Sequence, residues 1–569
     1  MSIKELYSSW LENAVEDKSL TEELEKIKND ENEINDRFYK ELEFGTAGIR
    51  GVLGAGINRM NIYTVGRATQ GIADYINSET KDGSVAISYD SRINSTLFAK
   101  TAASVFAANG IKVYIYKELM PVPALSFATR YLKCTAGAMI TASHNPSKYN
   151  GYKVYGSDGC QMSVEASAKV LEFIDKIDYF SGIRKIDFNE GLNSGIIQYI
   201  GDDVIEEYLN NVRQQSLSPD ICEKSDLRVV YTPLCGAGNK PVRAILDRIG
   251  IKSVSIVKEQ EKPDGNFPGA PYPNPEIREA FTCALKLAEE VKPDLLLATD
   301  PDADRVGIAV NNGQEFVLMS GNQVGAMLLN YCLTRRKETG KMPKDPIAIK
   351  TIVSTEICQK IADSFGCKLV NVLTGFKFIG EQIGLLEKKG EENRFVFGFE
   401  ESYGYLAGTY VRDKDAVVAS MLICEMACYY KEKGMTLLDA YKELEDKFGV
   451  FDNSQNSYTF EGQEGMIKMK EIMQSFRNTP EYIADYKVVA VSDYKTSENK
   501  DLITGETSVI TLPKSDVITY KLENGSSVII RPSGTEPKVK AYFTAVAETE
   551  NAAKEISDKL KQAISQKMK

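Results

Sequence analysis

One histidine, His144, occurs in 569 residues, and that scarcity removes several chemistries at once. A zinc site built on histidines is excluded. A Ser-His-Asp triad would have to use His144, whose neighbour in sequence is Ser143. Adjacent side chains usually point apart, so no triad is expected. The pattern Gly-x-x-x-x-Gly-Lys-Ser/Thr is missing, which argues against a Walker-type kinase or ATPase. No apolar run reaches membrane-spanning length, and Met1-Ser2-Ile3-Lys4-Glu5-Leu6 has no signal-peptide core. The ten cysteines are scattered without a Cys-x-x-Cys pair; Cys424 and Cys428, the nearest two, read as core on an apolar helix. Together these absences predict a cytoplasmic protein with reduced thiols and no membrane partner. Positive charge is also short: 69 Lys and Arg stand against 80 Asp and Glu, for a net charge of −11. That balance disfavours nucleic acid as the main partner, and an anionic substrate would need local basic patches.

The length calls for about three to five domains. Residues 1 to about 40 are acidic and helical in pattern, with Ser19 and Glu22 spaced as a capping box before Leu24 and Ile27. From Val85 onward, short apolar strands alternate with helical periodicity (Phe98, Ala102, Val105, Phe106), which argues doubly wound α/β units. A second unit opens near Asp203 and a third near Ser320. Asn274 and Pro275 read as the cap of a helix containing Ile277, Phe281, Leu285 and Ala288. The polar run Asp452–Ser457 reads as a linker into a last unit.

Four stretches carry chemistry. In TASHNPSKYNGYK, Thr141 to Lys153, Ser143 ends a buried strand at an Asn-Pro turn with Lys153 ten residues on. A hydroxyl on a tight turn beside a cation can carry a phosphoryl group, although Ser before Asn-Pro is often only a turn. In Asp300-Pro301-Asp302-Ala303-Asp304-Arg305, aspartates at i, i+2 and i+4 of an extended segment would present three carboxylates on one side. Hard oxygen ligands suit Mg²⁺; an EF-hand is excluded because Arg305 takes the glycine position and Asn311 the glutamate position, and a solvated acidic turn is the bland alternative. In Gly398 to Tyr405, GFEESYGY, Glu400, Glu401 and Ser402 could bind vicinal sugar hydroxyls, or form an exposed acidic loop. In Arg531 to Lys538, RPSGTEPK, backbone amides around Ser533-Gly534-Thr535 could form an anion nest between two cations. A glycine cluster, EFGTAGIRG at Glu43 to Gly51, adds Arg50 as a further phosphate ligand.

These motifs, in this order and one per α/β unit, resemble the α-D-phosphohexomutase superfamily, the phosphoglucomutases and phosphomannomutases, from about Glu43 to the C-terminus. The resemblance implies three α/β domains with mixed sheets plus a smaller, mobile α+β C-terminal domain around a central cleft, with boundaries at 1–203, 204–316, 317–450 and 451–569. It implies that Ser143 carries a phosphoryl group and that Asp300, Asp302 and Asp304, with a phosphoserine oxygen of Ser143, bind Mg²⁺. Arg50, Lys153 and His144 would belong to the catalytic centre, Lys153 as a general acid/base. Glu400, Ser402, Lys377 and Arg305 would contact the sugar phosphate, and Arg531, Ser533, Gly534 and Thr535 would grip the non-reacting phosphate. Pro301 and Ala303 stand where many relatives have glycine, and Gly404 where the dual-specificity bacterial mutases have histidine. The implied activity is interconversion of glucose 1-phosphate and glucose 6-phosphate through glucose 1,6-bisphosphate, by a monomer. A phosphopentomutase, a phosphomannomutase, or a bisphosphate synthase or phosphatase using the same serine and metal is the alternative.

Overall fold

Residues 1–45, 48–460, 462–533 and 538–568 are described by the structure, a computed structural model, and they group into two units. The first comprises Met1–Ser320, Ile379–Phe395 and Ser402–Gly434, and the second Gly321–Phe378, Val396–Glu401 and Met435–Lys569. Among the described residues no helix is long and apolar enough to cross a membrane.

In the first unit a six-stranded mixed sheet runs in the order Gly48–Val52, Tyr149–Gly156, Ala136–Ile140, Ser84–Tyr89, Lys112–Ile115, Ile197–Tyr199. Ser84–Tyr89 pairs in parallel with both of its neighbours, whereas Tyr149–Gly156 runs antiparallel to both of its own. The strand Ala136–Ile140 is buried along its whole length, as its small apolar residues require, because side chains leave both faces of a covered sheet. A second, five-stranded sheet has the order Phe316–Met319, Val306–Asn311, Leu295–Thr299, Arg228–Thr232, Ser253–Ile256. Its strands Leu295–Thr299 and Val306–Asn311 form an antiparallel hairpin, so residues 300–305 are the hairpin turn. The apolar helix Ala416–Glu432 is buried through Tyr430 and is capped by Asp415, whose carboxylate accepts from the amides of Val417 and Val418. Cys424 and Cys428 are buried on it, and all ten cysteines are free thiols.

In the second unit, strands Ile347–Thr351 and Lys368–Val372 pair in parallel. The C-terminal part is a largely antiparallel sheet in which Val450–Thr459, Lys538–Ala547, Ser527–Pro532, Ile518–Leu522 and Tyr486–Asp493 lie side by side, flanked by helices Gly462–Arg477 and Glu550–Lys567. Architecturally this is the α+β part that follows the α/β parts.

Four local expectations are corrected. Asp452–Ser457 is no linker but the middle of a ten-residue strand paired with Lys538–Ala547. An edge strand is held by its backbone ladder, so polar side chains there do not oppose it; Asn453 and Ser454 are used in hydrogen bonds to Thr355 and Ser557. The helix Lys18–Lys26 is capped by Asp17, which accepts from the amide of Ser19, so the cap stands two residues before the capping-box serine. Asn274 does accept from the amide of Glu276, but the chain first makes a 3₁₀ turn, Arg278–Phe281, and the α-helix proper is Thr282–Val291. The aspartates 300, 302 and 304 converge because they sit on a hairpin turn rather than along an extended strand, with Ala303 at φ 47° reversing the chain.

The N-terminal helices Ile3–Asn13, Lys18–Lys26 and Glu31–Phe38 pack onto the first sheet's domain through Trp10. Its ring contacts Phe38, Tyr63, Tyr179 and Phe180 edge-on at centroid distances of 6.0, 5.5, 5.5 and 5.4 Å. Trp10→Ala is expected to cost about 3–5 kcal/mol through lost burial and the cavity left behind. Urea unfolding followed by far-UV circular dichroism measures it. In the wild type tryptophan emission, excited selectively over that of the 29 tyrosines, reports this cluster alone, because Trp10 is the sole tryptophan.

Candidate active site

Ser143 is presented by a turn that leaves the buried strand Ala136–Ile140, and its backbone is left-handed, φ 52°. That conformation is costly for a non-glycine residue and persists only where the surroundings over-determine it. Arg92 supplies that determination. Its guanidinium, fully buried, donates from Nη1 to the carbonyls of Pro146 and Tyr149 at 2.9 Å each, and from Nη2 to those of Ser143, at 2.6 Å, and Asn145. Asp90 balances its charge across 3.3 Å, and the Phe267 ring lies 4.9 Å from the guanidinium carbon. Thr141 ties the same turn to Asp90: its hydroxyl is 2.6 Å from Asp90 Oδ2 and accepts from the Ser143 amide at 2.8 Å. Arg92 follows a strand end in Tyr89-Asp90-Ser91-Arg92, and that position was the available signal; its long reach to residues 143–149 could not be read from spacing.

The turn also places Ser143 Oγ 3.3 Å from His144 Nδ1, against the expectation that neighbouring side chains diverge. The left-handed Ser143 backbone brings the two together. No triad results, because the hydroxyl donates instead to Asp300 Oδ2 at 2.8 Å. Burial first, then the cations Arg305, Arg50 and Lys153, hold the imidazole well below the usual histidine range despite Asp304.

Asp300, Asp302 and Asp304 are buried and their ligand oxygens all lie within 4.8 Å of one another. Lys153 Nζ donates to Asp302 Oδ2 at 2.8 Å and Asp304 Oδ2 at 3.3 Å, and Lys414 Nζ lies 3.2 Å from Asp304 Oδ2. Lys414 is a second residue that sequence reasoning missed; it stands in Arg412-Asp413-Lys414-Asp415, before the apolar helix, and no motif pointed to it. Arg305 adds a third cation, its Nε 3.7 Å from Asp304 Oδ1, but the ion pairs of all three cations fall on Asp302 and Asp304. The imbalance falls on Asp300, whose carboxyl is pushed well above the usual range by burial and then by Asp302 and Asp304. Burial opposes Asp304 as well, but Lys414, Lys153 and Arg305 outweigh it and hold that carboxyl below the usual range. For Lys153, burial favours the neutral amine, yet Asp302 and Asp304 prevail and raise its pKa. Asp302 Oδ1 and Asp304 Oδ1 are buried and accept no hydrogen bond. Buried carboxylate oxygens without hydrogen-bond donors, in a cluster of three carboxylates, fit a hard divalent cation.

Arg50 comes to this centre on the strand Gly48–Val52, opposite Gly151 and two residues from Gly48, which faces Lys153. Close approach of the strands requires Gly48: it has φ 138°, and a Cβ there would lie 1.8 Å from the Tyr152 carbonyl oxygen. Arg305 ends the hairpin turn of residues 300–305; its amide donates to Asp300 Oδ1 at 3.0 Å and its Nη1 to Glu276 Oε1 at 2.6 Å. Ser402 belongs to the same unit, and the next residue, Tyr403 at φ 64°, accepts through its carbonyl from the Val306 amide at 3.1 Å.

The second unit holds Glu400, Lys377, Arg531 and Ser533. Glu400 is buried, and Glu401 is oriented by the Thr351 hydroxyl at 3.0 Å. Tyr542 joins the two motifs within this unit: burial pushes its phenol up, and it feels the charges of Glu401, Arg531 and Glu400. The Ser533 amide donates to the Lys538 carbonyl at 2.7 Å. Lys377 lies in the first turn of the helix Phe376–Glu387, with Nζ 5.2 Å from the Phe378 ring centroid. Gly534 and Thr535 lie outside the described residues.

A hydroxyl on a strained turn, a trio of buried carboxylates suited to a divalent cation and two lysines among them are the equipment of a metal-assisted phosphoryl-transfer site. Comparison with known proteins specifies the family. The phosphoglucomutase/phosphomannomutase alpha/beta/alpha domains I, II and III match residues 41–180, 206–313 and 320–448, and the C-terminal domain of the same family matches 483–562. A phosphoglucomutase of Staphylococcus saprophyticus is 38% identical over 541 residues, covering 95% of this chain and 96% of the relative. One from Staphylococcus epidermidis is 41% identical over 505 residues, covering 88% and 90%. The fold is shared with parafusin, a phosphoglucomutase of Paramecium, in its open form (TM-score 0.67, 18% identity, 93% of this chain and 95% of that one). It is shared too with a phosphoglucomutase/phosphomannomutase family protein of Burkholderia thailandensis (TM-score 0.66, 16% identity, 92% and 97%). The chain belongs to the phosphoglucomutase/phosphomannomutase family.

The charge imbalance gives a prediction with a sign. Asp300→Asn keeps the hydrogen bonds of the turn but removes one of three crowded charges, so the metal-free variant is expected to melt above the metal-free wild type. Divalent cation at a hundredfold excess over its Kd should stabilise the wild type by about 2.7 kcal/mol. In the variant that gain should largely disappear; differential scanning calorimetry with and without Mg²⁺ checks both.

Proposed function

We propose that this chain interconverts glucose 1-phosphate and glucose 6-phosphate by way of a phosphoserine at Ser143, with glucose 1,6-bisphosphate as the intermediate. The carrying observation is the Ser143 hydroxyl 2.8 Å from Asp300 within a buried carboxylate trio whose outer oxygens lack donors. The naming of staphylococcal relatives at 38% and 41% identity as phosphoglucomutases supports the choice of glucose. The enzyme is a phosphosugar mutase, an isomerase. Residues 1–203, 204–316, 317–450 and 451–569 are taken as its four domains, and the cytoplasm as its location, in keeping with ten free thiols.

Asp300, Asp302 and Asp304 would hold Mg²⁺, with a phosphoserine oxygen of Ser143 as a further ligand; the ion supplies charge neutralisation at the transferring phosphoryl group. Ser143 delivers the phosphoryl group to the free hydroxyl of the bound sugar monophosphate: the Oγ–P bond breaks and the sugar O–P bond forms. The hydroxyl proton passes to Lys153 acting as base, and Ser143 Oγ is reprotonated by way of His144. After the bisphosphate turns over, Ser143 Oγ attacks its other phosphate. His144 Nδ1, at 3.3 Å, is placed to take the serine proton, and Lys153 to return a proton to the departing sugar oxygen. Arg50 offsets charge on the reacting phosphoryl group. Glu400 and Ser402 accept sugar hydroxyls, and Lys377 and Arg305 contact the sugar phosphate. Arg531, Ser533, Gly534 and Thr535 hold the phosphate that is not reacting. Binding energy from that second phosphate serves both half-reactions.

A coupled assay of glucose 1-phosphate to glucose 6-phosphate, with Mg²⁺ and trace glucose 1,6-bisphosphate, tests the reading. Ser143→Ala is expected to abolish turnover while binding substrate. Full activity in Ser143→Ala would remove the phosphoserine, and inactivity of the wild type on glucose with activity on a pentose or mannose phosphate would change the substrate. Arg531→Ala is expected to act mainly on KM, by about 2–4 kcal/mol for a buried phosphate left without its partner.

A further inference from the structure

The N-terminal helices precede the family match, which begins at residue 41, yet two of their side chains grip the turn that follows the Arg50 strand. Glu23, on Lys18–Lys26, accepts from the Ala55 amide through Oε2 at 2.9 Å. Arg37, on Glu31–Phe38, donates from Nη1 to the Ala55 carbonyl at 3.2 Å and to Glu23 Oε1 at 2.6 Å. Both backbone groups of one residue are thus taken by one ion pair. The Arg37 carbonyl also accepts from the Asn58 amide at 3.0 Å. The flanking glycines leave room for this grip: Gly54 and Gly56 have φ 137° and 122°, and a Cβ would lie 2.8 Å from Glu23 Oε1 in the one and 2.8 Å from the Arg37 carbonyl oxygen in the other.

The gripped turn is tied directly to the site. The Leu53 amide donates to the Lys148 carbonyl, within the serine loop, at 2.8 Å, and Met60 returns to the Val52 carbonyl at 2.8 Å. From Val52 the strand runs back through Arg50 in fixed register with Asn150, Gly151 and Lys153. Arg50 itself is exposed, so its own side chain does little to fix the strand.

We infer that Glu23 and Arg37 are positioning residues for Arg50: the N-terminal helices set the height of the Arg50 strand against the serine loop, through the Ala55 clamp. This rests on the reading of Arg50 as a residue of the catalytic centre. A displacement on the order of 1 Å at a group that aligns the reacting phosphoryl can cost about a hundredfold in rate.

The test is a double-mutant cycle on the full chain, with kcat, KM and thermal midpoint measured for Arg37→Met, Glu23→Gln, Arg50→Lys and the paired variants. A lowered but measurable kcat in Arg50→Lys supports the reading of Arg50; full activity there overturns that reading and the clamp's purpose with it. With Arg50 present, Arg37→Met and Glu23→Gln are expected to lower kcat by about tenfold or more while KM changes by less than about twofold. In the Arg50→Lys background the same changes should cost markedly less, because the group being aimed is gone. Equal kcat losses in both backgrounds, or folded variants with unchanged kcat, would overturn the inference. Glu23→Gln retains an acceptor for the Ala55 amide and keeps the cycle measurable if Arg37→Met folds poorly.

Discussion

Three carboxylates within 4.8 Å of one another, in a buried turn, are the most demanding feature of this molecule, and much of the first unit is arranged to tolerate them. Like charges at such spacing repel strongly once water is excluded. The hairpin register forces the crowding, since the strands flanking residues 300–305 are paired from Val306 opposite Thr299. Lys153 and Lys414 arrive from two other parts of the chain to meet it. Arg305 adds its Nε 3.7 Å from Asp304, Asp300 is left without an ion pair of its own among the described residues, and the oxygens of Asp302 and Asp304 that lack hydrogen-bond donors fit a divalent cation. The Ser143 hydroxyl is tied to the same trio, because it donates to Asp300, whose carboxyl is pushed above the usual range by burial and by its two neighbours.

Three of the twelve non-glycine residues with left-handed backbone among the described residues lie in the same place. Ser143, Ala303 and Tyr403 all take left-handed φ values, 52°, 47° and 64°, although none is glycine. Each sits on a loop of the candidate site, and each is locked by backbone hydrogen bonds: Ser143 through Arg92, Ala303 through the Asp300 carbonyl, Tyr403 through the Val306 amide. Stored strain of this kind, of order 1–3 kcal/mol per residue, pre-organises a site when neighbouring structure can bear it. Ala303 is instructive, for glycine would relieve the turn; a chain that keeps alanine there depends more on the rest of the hairpin.

Much of this was legible in the residues. Apolar runs located the buried strand that leads to Ser143, observed as Ala136–Ile140, and the apolar helix carrying Cys424 and Cys428, observed as Ala416–Glu432. Spacing drew attention to the three aspartates because few other reasons exist for carboxylates at alternate positions between apolar strands. What misled was local geometry inferred without partners. Asp452–Ser457 looks like a linker only while Lys538–Ala547, its pairing strand, is out of view. The three aspartates look extended until the hairpin closes, and Ser143 and His144 look divergent until the left-handed backbone at Ser143 is seen.

Composition by itself excluded classes of chemistry, with scarce histidine and no Walker loop, and the order of the four motifs pointed to phosphoryl transfer through the family resemblance they carry. The α/β succession followed equally, because periodicity is a property of neighbours in sequence. Tertiary structure alone decided which cations serve the site. Arg92 reaches residues 143–149, Lys414 reaches Asp304 and Glu23 with Arg37 reaches Ala55, across separations that carry no periodic or spacing signal. Charge neutralisation and backbone clamping are satisfied by distance in space, and only the folded chain sets those distances.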